Sequence, residues 1–154
     1  MKAYLSGAIE HSPDGGKKWR NEMATWLKSH MNHDVFNPVA EQLSTLTREE
    51  AAHFRHWRES DYPRFKSAVR KLIERDLRAI VEEVDYVICF WDEGALRGGG
   101  THGEVTVACH SGVPVYMVLG VPRGSVSSWI LGCTSGEFED FEGLKKFLEK
   151  KYGR

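Results

Sequence analysis

The six residues Tyr86-Val87-Ile88-Cys89-Phe90-Trp91 form an apolar run without a break, and no other stretch constrains the fold as strongly. A strand with one wet face alternates apolar and polar side chains, whereas a strand covered on both faces reads as continuously apolar. Such a strand belongs inside a parallel sheet with helices packed on both sides. After the run comes a glycine-rich turn, Gly98-Gly99-Gly100, and then a helical segment from Thr101 that carries one acid, Glu104. Open α/β sheets bind ligands beyond the carboxyl ends of their strands, which places Glu104 at the ligand edge. A helix start favours negative charge, so Glu104 is expected to be ionised there and able to act as a nucleophile or base.

The rest of the chain alternates in the same way. Residues 3–5 read as an opening strand ended by Ser6-Gly7, and 10–16 as a turn-rich loop. Trp19, Met23, Trp26 and Leu27 recur at helical spacing and predict a helix over 17–29. Residues 34–38 form a second short strand stopped by Pro38. Thr47-Arg48-Glu49-Glu50 has the pattern of a capping box, and Asp61-Tyr62-Pro63 ends that helix. A long helix over 64–82 precedes the apolar strand. A helix over 101–110 closed by Gly112, a strand over 114–119 and a terminal helix over 141–151 complete the pattern. The expected fold is α/β of the Rossmann-like or flavodoxin-like class, doubly wound, with a mainly parallel sheet flanked by helices. At 154 residues, a single domain with a helical insertion around 45–63 is expected.

Composition narrows the function classes. The 21 Lys+Arg residues nearly balance 22 Asp+Glu, for a net charge of −1. That balance removes the electrostatic case for binding a nucleic acid polymer or a membrane surface. Cys89, Cys109 and Cys133 are odd in number and include no Cys-x-x-Cys pair, as expected for reduced thiols of a cytoplasmic protein. No apolar run approaches the roughly 18 residues needed to span a bilayer.

The long helix supplies a second acid. Phe65, Val69, Leu72, Ile73 and Ile80 form its apolar stripe, and Asp76 falls on that stripe. An uncompensated buried carboxylate is costly. Asp76 is therefore either a hydrogen-bonded structural residue or a partner brought to the pocket of Glu104. Two carboxylates in one pocket are the working parts of glycoside chemistry, one as nucleophile and one as proton donor.

The ordered set Lys2-Ala3-Tyr4-Leu5-Ser6-Gly7-Ala8-Ile9, Glu74-Arg75-Asp76-Leu77-Arg78-Ala79-Ile80, Val84-Asp85-Tyr86-Val87-Ile88, Gly100-Thr101-His102-Gly103-Glu104 and Gly112-Val113-Pro114-Val115 resembles the nucleoside 2-deoxyribosyltransferase family. That grouping includes the deoxynucleoside 5′-monophosphate N-glycosidases. The resemblance covers most of the chain. It implies that Glu104 attacks the anomeric carbon and that Asp76 handles the leaving base. It further implies that Tyr4 holds the nucleophile, that Ser6, Gly7 and Ala8 line the nucleoside pocket, and that Gly98, Gly99 and Gly100 approach the sugar or a phosphate. No metal or organic cofactor is implied. The expected partner is a small nucleoside or nucleotide, and the expected assembly is a homo-oligomer.

Some positions depart from the family pattern. Transferases of the family often place a base-contacting aspartate where this chain has Gly98, and Asp92, upstream, is the available substitute. The monophosphate hydrolases carry an arginine soon after the first glycine, where this chain reads Ile9-Glu10-His11. Lys17, Lys18 and Arg20 are the nearby cations for a phosphate. Those hydrolases also borrow a serine from a neighbouring subunit, for which Ser127 is the match. His102 either lines the pocket or caps its helix. Trp91, at the end of its strand, is the tryptophan placed to meet a base. His53 and His56 read as a solvated helix face rather than metal ligands. A nucleotide-binding module without turnover is the non-enzymatic alternative.

Overall fold

In the computed structural model, residues 1–153 are described. They begin with strand β1 (Lys2–Gly7), helix α1 (Lys17–Met31) and strand β2 (Asp34–Phe36). Three short helices follow: α2 (Gln42–Thr45), α3 (Arg48–His53) and α4 (Trp57–Ser60). The capping box read from sequence is present, with Thr47 and Glu50 each accepting from the other's backbone N–H. The long helix α5 (Tyr62–Arg78) runs into one π-helical turn, Ala79–Glu83. Asp61 does not simply break the chain here. Its carboxylate caps α5 by accepting from the Arg64 N–H at 3.3 Å, and Pro63 sits in the first turn, where its missing N–H is harmless.

The apolar run is strand β3 (Tyr86–Trp91), followed by α6 (Glu93–Arg97), α7 (Gly99–His110) and β4 (Val115–Leu119). A 3-10 turn (Arg123–Ser125), α8 (Ser128–Gly132), β5 (Gly136–Phe138) and α9 (Phe141–Tyr152) end the chain. The five strands pair in the order β2-β1-β3-β4-β5, all parallel. This is the flavodoxin-like order, and it reverses direction between β1 and β3, the crevice where doubly wound sheets take ligands.

Side-chain alternation divides the strands between two helix layers. Tyr4, Val87, Cys89 and Trp91 face one layer, packed with Ala79 and Ile80 of the π-helical turn and Val105 and Ala108 of α7. Leu5, Tyr86, Ile88 and Val118 face the other, packed with Met23 and Leu27 of α1 and Leu144 and Leu148 of α9. A smaller cluster, Leu46, Phe54, Trp57 and Ala68, seats the short helices on the first half of α5. Among the described residues, no helix is long and apolar enough to cross a membrane.

Candidate active site

A cavity of about 420 Å³ opens at the β1/β3 crevice, with a floor made by the loop after β1 and a wall made by the start of α7. Helix α5 closes the opposite side with Val69, Leu72 and Asp76. Its apolar stripe therefore faces a cavity as well as the core, which is why Ile73 remains 49% exposed.

Glu104 stands at the base of this cavity. Tyr4 Oη donates to its Oε1 at 2.9 Å, and Ser6 Oγ donates to its Oε2 at 2.5 Å. Because α7 starts at Gly99 rather than Thr101, Glu104 is in the second helical turn, beyond the reach of the terminal dipole. The expectation of a freely ionised carboxylate is corrected accordingly. Burial and then the charge of Asp76 push its pKa up to about 7, against the pull of the Ser6 and Tyr4 hydroxyls and the Arg20 guanidinium. Burial, followed by the charges of Glu104 and Asp76, raises Tyr4 well above an ordinary phenol, so its hydroxyl keeps its proton and remains a donor.

Asp76 lines the same cavity. Burial raises its carboxyl, opposed first by Arg75. Arg75 reaches one oxygen only, with Nε at 2.8 Å and Nη2 at 2.7 Å from Oδ1. The guanidinium is anchored from the other side by Thr45 Oγ1 and the Pro38 carbonyl. Asp76 thus keeps one oxygen without a guanidinium contact.

The loop after β1 is shaped by Arg20, which is completely buried. Its guanidinium donates to the carbonyls of Leu5 (3.2 Å), Gly7 (2.7 Å), Ala8 (3.2 Å) and Gly16 (2.9 Å). It is therefore not a phosphate ligand as the sequence suggested, and Lys17 and Lys18 do not line the cavity either. The sequence signal was its place on the inward stripe of α1, three residues before Met23. The cation that does line the cavity is Arg55, between α3 and α4, with its guanidinium over the Phe54 ring and no carboxylate partner among the described residues.

Of the other residues singled out from sequence, Gly7, Ala8, Gly98, Gly99 and Gly100 line the cavity. Ser6 lies behind it, fully buried. Trp91 is core rather than pocket: it is fully buried, its Nε1 has no hydrogen-bond partner among the described residues, and its ring meets His102 edge-on at 4.7 Å. His102 Nδ1 bonds the Gly98 carbonyl at 2.7 Å, which makes it a helix-start contact. Asp92 caps α6 by accepting from the Ala95 N–H at 2.9 Å. Ser127, read from sequence as a contributor to a neighbouring subunit, caps α8 in its own chain through the Ile130 N–H. Among the described residues, no group of three or more His, Cys, Asp or Glu is placed to hold a metal ion.

The flavodoxin-like fold has a counterpart among solved structures. The chain is similar to a 2-deoxyribosyltransferase from the psychrotolerant bacterium Bacillus psychrosaccharolyticus, with a TM-score of 0.62 and 15% sequence identity over 94% of this chain and 90% of that one. A likeness at that identity establishes a shared 2-deoxyribosyltransferase-like fold. No protein-family model and no curated protein sequence matches the chain.

Proposed function

We propose that this protein is an enzyme that cleaves and exchanges the N-glycosidic bond of a deoxynucleoside, as a cytoplasmic 2-deoxyribosyltransferase. The observation that carries the reading is Glu104, gripped at both oxygens by Tyr4 and Ser6 in the cavity it shares with Asp76. Glu104 attacks C1′ of the sugar. A C1′–O bond forms as the C1′–N bond breaks, and the bonding pair leaves with the base. Asp76 gives the departing nitrogen its proton. An acceptor base then attacks C1′, returns a proton to Asp76 and releases Glu104. Two displacements at one carbon retain its configuration, and each has a lower barrier than a single direct exchange.

The active form holds one proton on the carboxylate pair, and that proton must rest on Asp76. The Ser6 and Tyr4 hydroxyls favour charge on Glu104, while Arg75 and then Tyr4 favour charge on Asp76. Developing positive charge on the sugar adds to the first preference. No step draws on a metal or organic cofactor. The reading takes the chain as one domain, with segment 45–63 as a roof over the cavity, assembling as a homo-oligomer.

Arg55 favours a second reading, a deoxynucleoside 5′-monophosphate N-glycosidase in which water is the acceptor. The roof is held over the floor by Arg58 to Glu10 at 2.6 Å, and Arg55 beside it supplies positive charge to the cavity. Gly98 offers no side chain to recognise an acceptor base. Incubating the protein with deoxynucleosides and their monophosphates, with and without a second base, separates the readings by chromatography. Base exchange supports the transferase and base release alone supports the hydrolase. Identical behaviour of wild type and Glu104→Ala on every substrate defeats both.

A further inference from the structure

Resting on Glu104 as the attacking group, we propose that Ser6 is a positioning residue that fixes the plane of the Glu104 carboxylate. Tyr4 and Ser6 are two apart on β1 and so project from the same sheet face, the face on which Val105 and Ala108 of α7 pack. Each hydroxyl takes one carboxylate oxygen. The terminal torsion of a glutamate is broad and nearly two-fold, so one donor alone leaves the carboxylate free to pivot about the bonded oxygen. A second donor on the other oxygen removes that freedom and leaves the remaining lone pairs in a fixed direction toward the cavity.

Ser6 suits this role because, besides Glu104, its hydroxyl has only the Cys89 thiol as a polar side-chain neighbour among the described residues. It is completely buried and does not line the cavity. It lies inside the sheet, in register with Cys89 on β3. On either side of it in sequence, the carbonyls of Leu5 and Gly7 are held by Arg20. The strand beneath the hydroxyl is therefore anchored, and the hydroxyl moves only by rotation about its own side chain. Tyr4 and Ser6 of β1, Cys89 of β3, Asp76 of α5 and Arg20 of α1 act electrostatically on Glu104 or respond to it. Among the described residues, only Tyr4 and Ser6 donate hydrogen bonds to its carboxylate. A donor to the ionised form also keeps Glu104 charged at lower pH, so positioning and ionisation are coupled in one contact.

The test uses Ser6→Ala and Ser6→Cys with two readouts. The first is a titration of the Glu104 carboxyl in the free protein by carbon-13 NMR of labelled glutamate, assigned with Glu104→Gln. The second is the pH profile of bond cleavage. In Ser6→Ala the carboxyl is expected to titrate about one pH unit higher, as for loss of one hydrogen bond to a charged group. The alkaline limb of kcat/KM should move with it, kcat at neutral pH should fall about tenfold, and KM should stay within about twofold. Ser6→Cys, which fills the same space with a weaker donor, should fall between and serves where the alanine variant does not fold. An unmoved titration in both variants overturns the proposal. So does a raised KM with unmoved titration, which makes Ser6 a substrate contact. A wild type without cleavage sinks the proposed function, while the NMR titration still decides the role of Ser6.

Discussion

Arg20 donates to the Gly7 carbonyl at 2.7 Å while its other nitrogens reach Leu5, Ala8 and Gly16, so one buried cation holds the end of β1 and the cavity floor. No carboxylate lies within salt-bridge distance of it among the described residues. Its charge is balanced by carbonyl dipoles and, at longer range, by Glu104.

Arg20→Met keeps much of the side-chain volume but leaves four carbonyls without their donor. Unsatisfied buried acceptors and a broken buried network predict a loss of about 2–5 kcal/mol, read as a lower midpoint in denaturant. Activity should fall further than stability explains, because Gly7 and Ala8 line the cavity. A variant as stable as wild type would remove Arg20 from the architecture of the site.

Glu104→Gln should stabilise the protein at pH 8 and not at pH 5. The carboxyl has a pKa of about 7 when folded against 4.5 unperturbed, so the folded state binds its proton more tightly than the unfolded state. Stability therefore falls as pH rises from about 4.5 to about 7, and is level above that. The glutamine variant escapes that loss. Discounting for the part of the residue open to the cavity, the gap at pH 8 should be on the order of 1–2 kcal/mol, or a few degrees in Tm. Cleavage by the wild type, which needs one proton on the pair, should lose rate along an alkaline limb near the same pH, belonging to the Glu104–Asp76 pair rather than to one group. A gap that widens toward acid pH would contradict the assignment.

Gly100 separates ligand space from protein space. It lines the cavity, and a Cβ built there meets nothing within 4 Å. Gly100→Ala should thus fold as well as wild type, or better by up to about 1 kcal/mol from helix propensity. Its added methyl enters the volume a substrate must occupy, so KM should rise several-fold. Gly94→Ala should behave in the opposite way. There a Cβ lies 2.7 Å from the Ala8 Cβ and 2.8 Å from the His11 carbonyl, so stability should drop. If both variants bind substrate like wild type, the ligand lies elsewhere.

The sequence displays the sheet and half of the site, and the division has a physical basis. β3 and the stripe of α5 are legible because burial on both faces and helical spacing leave period signals. β5 is not, because Gly136-Glu137-Phe138 is three residues long and partly exposed throughout. α6 and α8 are single turns that announce themselves only by Asp92 and Ser127, and an acid or serine near a pocket reads equally well as ligand or as cap. Glu104, Asp76 and Tyr4 were legible as an ordered set. The apolar residues of β1 end at Leu5, so sequence alone puts Ser6 in the loop, whereas the strand runs to Gly7. Recognising its strand register turns it from a pocket residue into one behind the pocket. Arg55 sits in the 45–63 insertion among other charged and polar residues, where no spacing separates a cavity cation from a solvated one.

Asp76→Asn tests the division of labour between the two acids. Removing the proton carrier should cost about 10²–10⁴-fold in cleavage of a base that must be protonated to leave. It should cost far less with a deoxyribosyl donor whose leaving group is stable as an anion, because that group departs without a proton while Glu104 still attacks. Loss of the Asp76 charge also relieves the upward push on Glu104, so the acid limb for the activated donor should move to lower pH. Arg75 keeps Thr45 and Pro38 as partners but loses its carboxylate, so the variant should also be less stable, measurably in thermal melts. Stability loss alone would depress both donors alike. A strong dependence on leaving group, with a downward shift of the limb, distinguishes a proton carrier from a structural aspartate; equal losses on both donors would return Asp76 to the structural role that its place on the α5 stripe also allows.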